Sequence, residues 1–169
     1  YESMIAIGEM GLDYFRNISD EEVQKKVFRD QMEIAQDLDK PAIIHNREAD
    51  QDVISILSDF PDVIGVSHCF SSDLETAEAF LELGYYISFS GNLTFKNSHL
   101  PEIAKSIPLD KILIETDSPY LSPEPFRGKP NEPSRVSFVA TKLAEIHNIS
   151  FEDMAKQTSE NASELFRLP

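Results

Sequence analysis

The chain has 169 residues, 41% hydrophobic and 27% charged, a composition typical of one globular domain with a sizeable core. Its single cysteine, Cys69, excludes an internal disulfide and favours a reducing compartment. No apolar run approaches the roughly 18 residues that a membrane span needs, and nothing resembles a secretory signal. We therefore predict a cytoplasmic protein, not a membrane protein, with residues 1–169 in a single domain.

The net charge of −15 argues against broad electrostatic binding of nucleic acid. The chain has no strong basic stripe, and its basic clusters are Lys25-Lys26 and the looser Arg127/Lys129. A polyanionic substrate would therefore need bound divalent ions and a few local cations to attract it. The simpler interpretation is that the acidity serves solubility.

Five short apolar runs along the chain are typical of buried parallel strands. Four of them lead directly into a residue of a type that binds metals: Glu9, His45, His68 and Asp117. The fifth run ends near Ser88. Successive ends lie roughly 20 to 36 residues apart, which is the spacing of βα units with right-handed crossovers. Side chains at the carboxyl ends of such strands are where α/β barrels carry out their chemistry.

Helical patterns fill the intervals between these runs. Capping boxes predict helices that begin with Ser19 and Ser72 as N-caps, and Gly84 is placed to end the second helix. A third helix is predicted from near Pro133, and Ser150 is predicted to cap a last pair of short helices. The Pro-rich segment 118–133 is interpreted as an ordered irregular loop after the last strand.

Five strands are too few for a closed eight-stranded barrel, which needs about 250 residues. Either the strands form an open sheet, or the N-terminal part of a barrel lies outside this sequence. An open parallel sheet would leave edge strands to be covered, and the chain opens at Tyr1, without methionine, almost directly before a strand. We therefore favour the second interpretation.

The four residues at the strand ends suggest a hydrolytic metal centre. Imidazole and carboxylate ligands together suit Zn²⁺, Mn²⁺ and similar ions. Glu9 could bridge two ions, and Asp117 could take a proton from a water that the ions acidify, giving a hydroxide that attacks the substrate. Taken singly, each histidine could equally be a hydrogen-bonded core residue, and Glu9 a capping acid.

Other residues have two interpretations each. Arg47 could hold a substrate phosphate or form an internal salt bridge, and Arg127 is a candidate second phosphate contact. Tyr120 and Phe126 could stack on a base, although packing under the Pro-rich loop is the simpler role. Cys69 is expected on the opposite side of its strand from His68, as an inert buried thiol.

Several runs of the sequence resemble the TatD family of metal-dependent deoxyribonucleases. The similarity extends from the first residues to the last, and the runs that carry it are 7–14 (IGEMGLDY), 43–49 (IIHNREA), 68–71 (HCFS), 115–121 (ETDSPYL), Arg127-Gly128, Asn131-Glu132-Pro133 and 161–166. The resemblance implies a TIM-barrel-like metal-dependent hydrolase of the α/β class, of which this chain supplies the C-terminal five βα units of a (β/α)8 barrel.

The resemblance also implies roles for the four residues. Glu9, His45, His68 and Asp117 would be metal ligands at the ends of the fourth, fifth, sixth and eighth barrel strands, with Glu9 bridging two divalent ions (Mg, Mn or Zn) and Asp117 as the base. The implied reaction is hydrolysis of DNA phosphodiester bonds, with exonuclease character, through a metal-bound hydroxide. DNA would be the substrate, while the oligomeric state is left open.

One departure from the family pattern limits this expectation. The family opens with a His-x-His pair on its first strand, and this chain has no such pair. The first three strands, with two ligands of one ion, would then lie outside the sequence. Two alternatives remain: a related metal hydrolase of another ester, amide or phosphotriester, and an inactive fragment that lacks part of the metal site.

Overall fold

A computed structural model describes residues 4–16 and 18–168, so the opening residue Tyr1 lies outside the described residues. The strands are β1 (Ile7–Asp13), β2 (Ala42–Arg47), β3 (Gly65–Ser67), β4 (Tyr86–Phe89) and β5 (Ile112–Ile114). The helices are α1 (Glu21–Asp37), α2 (Asp50–Ser58), α3 (Leu74–Glu82), α4 (Leu100–Ala104), α5 (Val136–His147) and α6 (Phe151–Leu165). Short 3₁₀ turns occupy Gly91–Thr94, Leu109–Lys111 and Pro133–Arg135.

The five strands form one parallel sheet in the order β1-β2-β3-β4-β5. A doubly wound sheet reverses its strand order at a switch point, and this sheet does not reverse. Each strand instead follows its predecessor in the same direction, as in an arc of a β/α barrel. The prediction of five parallel strands is confirmed.

Alternate residues of the strands pack on the two faces of the sheet. Ile44, Ile87 and Ile112 join the main core, which contains apolar side chains from α1, α2, α3 and α5. Their neighbours in the sequence, which include Tyr86 and Leu113, join a smaller cluster that Leu165 of α6 closes. One face is thus covered by the connecting helices, and on the other the end of the final helix closes the smaller cluster.

The predicted starts of two helices are wrong by one residue. The N-cap of α1 is Asp20, whose Oδ1 accepts the Glu22 N–H at 3.0 Å, and not Ser19. The N-cap of α3 is Asp73, whose Oδ1 accepts the Thr76 N–H at 2.9 Å, and not Ser72. In both pairs the carboxylate is the cap, and its charge also interacts favourably with the positive end of the helix dipole.

Three further differences concern the helices. Ser150 caps its helix as predicted, but α6 is one helix of 15 residues and not a pair of short ones. The helices α2 and α4 were not predicted, and α5 begins only after a 3₁₀ turn at Pro133–Arg135. Gly84 follows α3 with a positive φ of 85°, as predicted. Within the described residues, every helix is too short or too polar to cross a bilayer.

Two of the four predicted ligands lie inside strands and not just after them. β1 continues through Asp13, so Glu9 is its third residue, and His45 is the fourth residue of β2. The register between β1 and β2 shifts between Ile7 and Met10, which is where Glu9 lies. Such an irregularity bends a strand and changes the direction in which its side chains point.

Candidate metal centre

The side chains of Glu9 and Asp13 point to the same face of β1, because they are four residues apart on a strand. Met10 and Leu12 point the other way and are buried in the main core. The apolar residues of β1 therefore anchor the strand, and both carboxylates are left facing the carboxyl ends of the neighbouring strands.

Gly11 allows β1 to approach β2 closely at this point. It pairs with His45 in the sheet, has a φ of 146°, and a Cβ at this position would lie 1.9 Å from the His45 carbonyl oxygen. No other residue type fits such a contact without moving the backbone. The glycine thereby brings the carboxylates of β1 against the His45 imidazole.

His45 lies between two carboxylates. Its Nδ1 is 2.9 Å from Glu9 Oε1, and its Nε2 is 3.2 Å from Asp13 Oδ2. Burial acts to raise the pKa of Asp13, but hydrogen bonds from the Arg16 N–H and His45 outweigh it and lower that pKa. Asp13 is therefore ionised at neutral pH. We call Glu9, Asp13, His45 and Arg47 the open wall of the site.

His68 follows β3 and is held by Glu115, which follows β5. The His68 Nδ1 lies 2.5 Å from Glu115 Oε2, and Glu115 Oε1 accepts the N–H of Cys69. The His68 Nε2 faces the other way, 3.7 Å from Glu9 Oε1 and 3.9 Å from Asp117 Oδ1. Burial acts to lower the pKa of His68, but the hydrogen bond and charge of Glu115 outweigh it and raise that pKa.

Asp117 projects from the loop after β5, where its φ of 53° is in the left-handed region. Asn131, which is buried, ties this loop in place: its Nδ2 donates to the Thr116 carbonyl at 2.8 Å and its N–H to the Pro119 carbonyl at 2.9 Å. Burial raises the pKa of Asp117, and the carboxylates of Glu115 and Glu9 add to this. We call His68, Cys69, Glu115 and Asp117 the buried wall.

The two walls enclose an open cavity of about 500 Å³. The four predicted ligands all line it, together with these residues: Asp13, Arg16, Asn46, Arg47, Cys69, Ser71, Asn92, Tyr120 and Leu121. Arg47 supplies a cation there, and its guanidinium stacks on the exposed Phe15 ring, 3.8 Å from the centroid. The four residues predicted as ligands and Arg47 therefore line one cavity.

Two other predicted residues lie elsewhere. Arg127 is exposed and stacks on Phe95, 4.0 Å from the ring centroid, so it is not among the cavity-lining residues. Phe126 packs edge-on against Phe138, with centroids 5.2 Å apart, which supports the packing interpretation. Tyr120 lines the cavity and is 65% exposed, so the prediction that it packs under the Pro-rich loop is wrong.

The tightest group of potential ligand atoms in the described residues is a different one: His68, Cys69 and Glu115. Its members already satisfy one another, because both Glu115 oxygens accept hydrogen bonds from the other two residues. The Cys69 thiol contacts Ser90 Oγ at 3.0 Å, and burial raises its pKa to about 12, so it is protonated at neutral pH. The prediction that Cys69 is buried on the opposite side of its strand from His68 is wrong, because both residues follow the end of β3 and the half-buried Cys69 lines the same cavity as His68. That the thiol is inert stays a prediction.

Sequence reasoning missed Asp13 and Glu115. A signal existed for Asp13, which shares the strand face of Glu9. Glu115 is two residues before Asp117, but its partner His68 is 47 residues away, so only the fold brings them together.

Comparison with known proteins finds relatives over nearly the whole chain. The family described as TatD related DNase matches residues 1–167. The uncharacterized metal-dependent hydrolase YabD of Bacillus subtilis is 48% identical over 171 residues, which cover 99% of this chain and 67% of the relative. A relative from Erwinia billingiae, named 3'-5' ssDNA/RNA exonuclease TatD, is 37% identical over 174 residues, which cover 98% of this chain and 67% of the relative.

The crystal structure of the TatD homologue YJJV from Escherichia coli K12 superposes with a TM-score of 0.91 at 31% identity, over 97% of this chain and 64% of that one. The chain spans about two thirds of the length of the curated relatives it matches. The resemblance and the TIM-barrel-like α/β fold predicted from the sequence are confirmed. The chain belongs to the TatD family of metal-dependent hydrolases.

Proposed function

We propose that this chain carries part of the active site of a divalent-metal-dependent deoxyribonuclease that removes nucleotides from DNA ends. The observation that supports the proposal is the convergence of two imidazoles, three carboxylates and two arginines on one open cavity. The Erwinia relative bears the name of a single-strand exonuclease, which favours a nucleic-acid substrate.

The donor set fits a divalent cation. Glu9 Oε1 lies within 3.7 Å of a nitrogen of both His45 and His68, and Asp117 faces the same His68 nitrogen. Burial raises the pKa of Asp117, and repulsion from the carboxylates of Glu115 and Glu9 adds to this. A cation held by Glu9, His45, His68 and Asp117 would relieve this repulsion, and mixed nitrogen and oxygen donors suit Zn²⁺ or Mn²⁺.

We propose two ions in the complete site, which Glu9, His45, His68 and Asp117 would hold together with further ligands from residues outside this sequence. When bound, such ions polarise a phosphoryl oxygen and make water a better nucleophile. That is the part of the chemistry that the protein's own side chains cannot supply.

The side chains themselves perform the remaining tasks. Asp117 lies 33% exposed at the cavity, where it accepts the proton of the attacking water as general base. Arg47 binds the phosphate through its planar fork of donors, since it lines the cavity and is kept there by stacking on Phe15. Arg127 is a weaker candidate for phosphate binding because its position over Phe95 is outside the cavity lining.

The test is digestion of an end-labelled single-stranded DNA with Mg²⁺ or Mn²⁺, and with chelator. We expect release of label that requires the ion and that falls by about 10² to 10⁴ in Asp117→Asn. Asp37→Asn, which removes the same charge from an exposed position of α1, should keep full activity.

A longer protein that includes the preceding part of the barrel is the necessary companion sample. Cleavage by the longer protein alone would assign the missing ligands to that part. Hydrolysis of a lactone or phosphotriester by either sample, without cleavage of DNA, would contradict the proposal and favour a related hydrolase.

A further inference from the structure

Glu115 is a carboxylate that the proposed chemistry does not use, yet it makes the closest side-chain contact in the buried wall. Its Oε2 lies 2.5 Å from His68 Nδ1, and the two side chains are only 21% and 15% exposed. Its Oε1 accepts the backbone N–H of Cys69, which the left-handed backbone of Cys69 (φ 49°) turns toward it. Each oxygen therefore has one defined partner.

From this geometry we infer that Glu115 is a positioning residue that holds His68 as the Nδ1–H tautomer, an inference that rests on the proposed metal-dependent function. An ionised carboxylate only accepts hydrogen bonds, so the Nδ1 that faces it must be the protonated nitrogen. A neutral imidazole has one N–H, and the Nε2 that faces Glu9 and Asp117 is then left with its lone pair free.

This arrangement matters because only a nitrogen with a free lone pair binds a metal. Carboxylates that accept from the far nitrogen of a metal-binding histidine fix its tautomer and its ring orientation. His45 has no equivalent partner, since both of its nitrogens face carboxylates that line the cavity, Glu9 and Asp13. Glu115 thus prepares one of the two imidazoles before any ion arrives.

The substitution Glu115→Gln separates this role from a purely structural one. Glutamine has nearly the same shape, and its oxygen can still accept the Cys69 N–H. That bond forces the amide NH₂ toward His68 Nδ1, because the reverse orientation would place two donors face to face. Nδ1 must then accept, so the proton moves to Nε2 and occupies the position that the ion needs.

The first measurement is the tautomeric state of His68 in the metal-free chain, from the nitrogen shifts of its ring by NMR at a pH well above the titration range of imidazole. The chain has four histidines, and the signals lost in His68→Gln identify the ring. We expect Nδ1–H in the wild type and Nε2–H in Glu115→Gln. Glu78→Gln, which removes an exposed carboxylate from α3, should leave the ring unchanged.

The second measurement is Zn²⁺ binding by titration calorimetry. We expect Glu115→Gln to bind about 10- to 100-fold more weakly than the wild type, and Glu78→Gln to match the wild type. An Nε2–H ring in the wild type, an unchanged tautomer in Glu115→Gln, or equal affinity in the two glutamine variants would overturn the inference.

These outcomes are separate from the fate of the proposed nuclease. A tautomer that switches as expected, in a chain that binds Zn²⁺ but cleaves no DNA alone or in the longer protein, would support the role of Glu115 and contradict the nuclease. Cleavage that needs Asp117, combined with a His68 tautomer that does not change in Glu115→Gln, would support the nuclease and contradict the role of Glu115.

Discussion

The buried wall and the open wall present the same ligand types to the cavity but hold them differently. On the buried wall, His68 is 15% exposed and Glu115 fixes one side of its ring. On the open wall, His45 is 34% exposed and lies between Glu9 and Asp13, while Glu9 itself is 49% exposed. The imidazole of the first wall is thus more buried than that of the second, and a carboxylate outside the cavity lining holds it.

The cause of this difference is how each outer strand is supported. β5 is braced by the buried side chain of Asn161 from α6, whose Nδ2 donates to the carbonyls of Leu109 and Ile112, each at 2.8 Å. β1 is braced by the half-buried Gln24 from α1, which bonds the N–H and carbonyl of Asp13 at 2.9 and 3.3 Å. A cavity held firmly on one side and loosely on the other can admit a ligand and still orient it.

The largest effect should come from the ion itself. We expect Mn²⁺ at about 100 times its dissociation constant to raise the free energy of unfolding by about 2.7 kcal/mol, because it binds the folded chain and offsets repulsion between the walls. Amide exchange should slow more in β1 than in β5, and chelator should reverse both effects. Equal slowing in the two strands would contradict the contrast between the walls.

The two bracing amides offer a matched pair of substitutions. Asn161→Ala removes the side-chain donor that the carbonyls of Leu109 and Ile112 share, the second in a buried hydrogen bond, and we expect it to lower the free energy of unfolding by about 2 kcal/mol or more. Gln24→Ala removes hydrogen bonds that water can replace, so we expect the free energy of unfolding to fall by only about 1 kcal/mol. Urea unfolding measures both, and a larger loss for Gln24→Ala would show that β1 is the better supported strand.

The sequence indicated the candidate ligands of both walls more readily than their supports. Glu9, His45, His68 and Asp117 were selected because each follows an apolar run, and parallel strands bring their carboxyl ends to one edge of a sheet. Glu115 and Asn161 were missed as supports because their partners are 47 to 52 residues away in the chain. Such contacts depend on tertiary packing, which local patterns do not contain.

The errors in the helices have a more local origin. Ser19-Asp20 and Ser72-Asp73 each offer two adjacent residues that can cap a helix, and the choice depends on backbone angles that the pattern does not show. The sheet was predicted well for the opposite reason. Its strands are short apolar runs with a single pattern, and their order follows the order of the chain.

A smaller effect is expected from Asp13→Asn on the open wall. Asparagine keeps an acceptor for the Arg16 N–H but removes the charge beside His45 Nε2. We expect Zn²⁺ affinity to fall by about tenfold, the lower end of the range for residues that support metal ligands, because Glu9 still orients the other side of the ring. Titration calorimetry measures the Zn²⁺ affinity, with Asp37→Asn as the control. A larger loss of affinity in Asp13→Asn than in Glu115→Gln would mean that the open wall supports its histidine more strongly than the buried wall does.

The smallest effect concerns the anchor of the open wall at Tyr14. Its hydroxyl donates to Asp52 Oδ2 at 2.6 Å, and Lys25 Nζ lies 2.9 Å from the same oxygen. Tyr14→Phe leaves Asp52 with its lysine partner, so we expect a loss of about 1 kcal/mol in the free energy of unfolding at neutral pH. The exposed Tyr120→Phe is the control and should change it little.

The pH dependence of that loss identifies the hydrogen bond as its cause. Burial and the bond to Asp52 raise the pKa of Tyr14 to about 12, above the ordinary value of about 10. The folded state therefore favours the neutral phenol, and its contribution is complete below about pH 10 and is lost as the pH rises toward about 12. The difference between wild type and Tyr14→Phe should shrink over this interval in urea unfolding, and a constant difference would mean that Tyr14 contributes through packing instead.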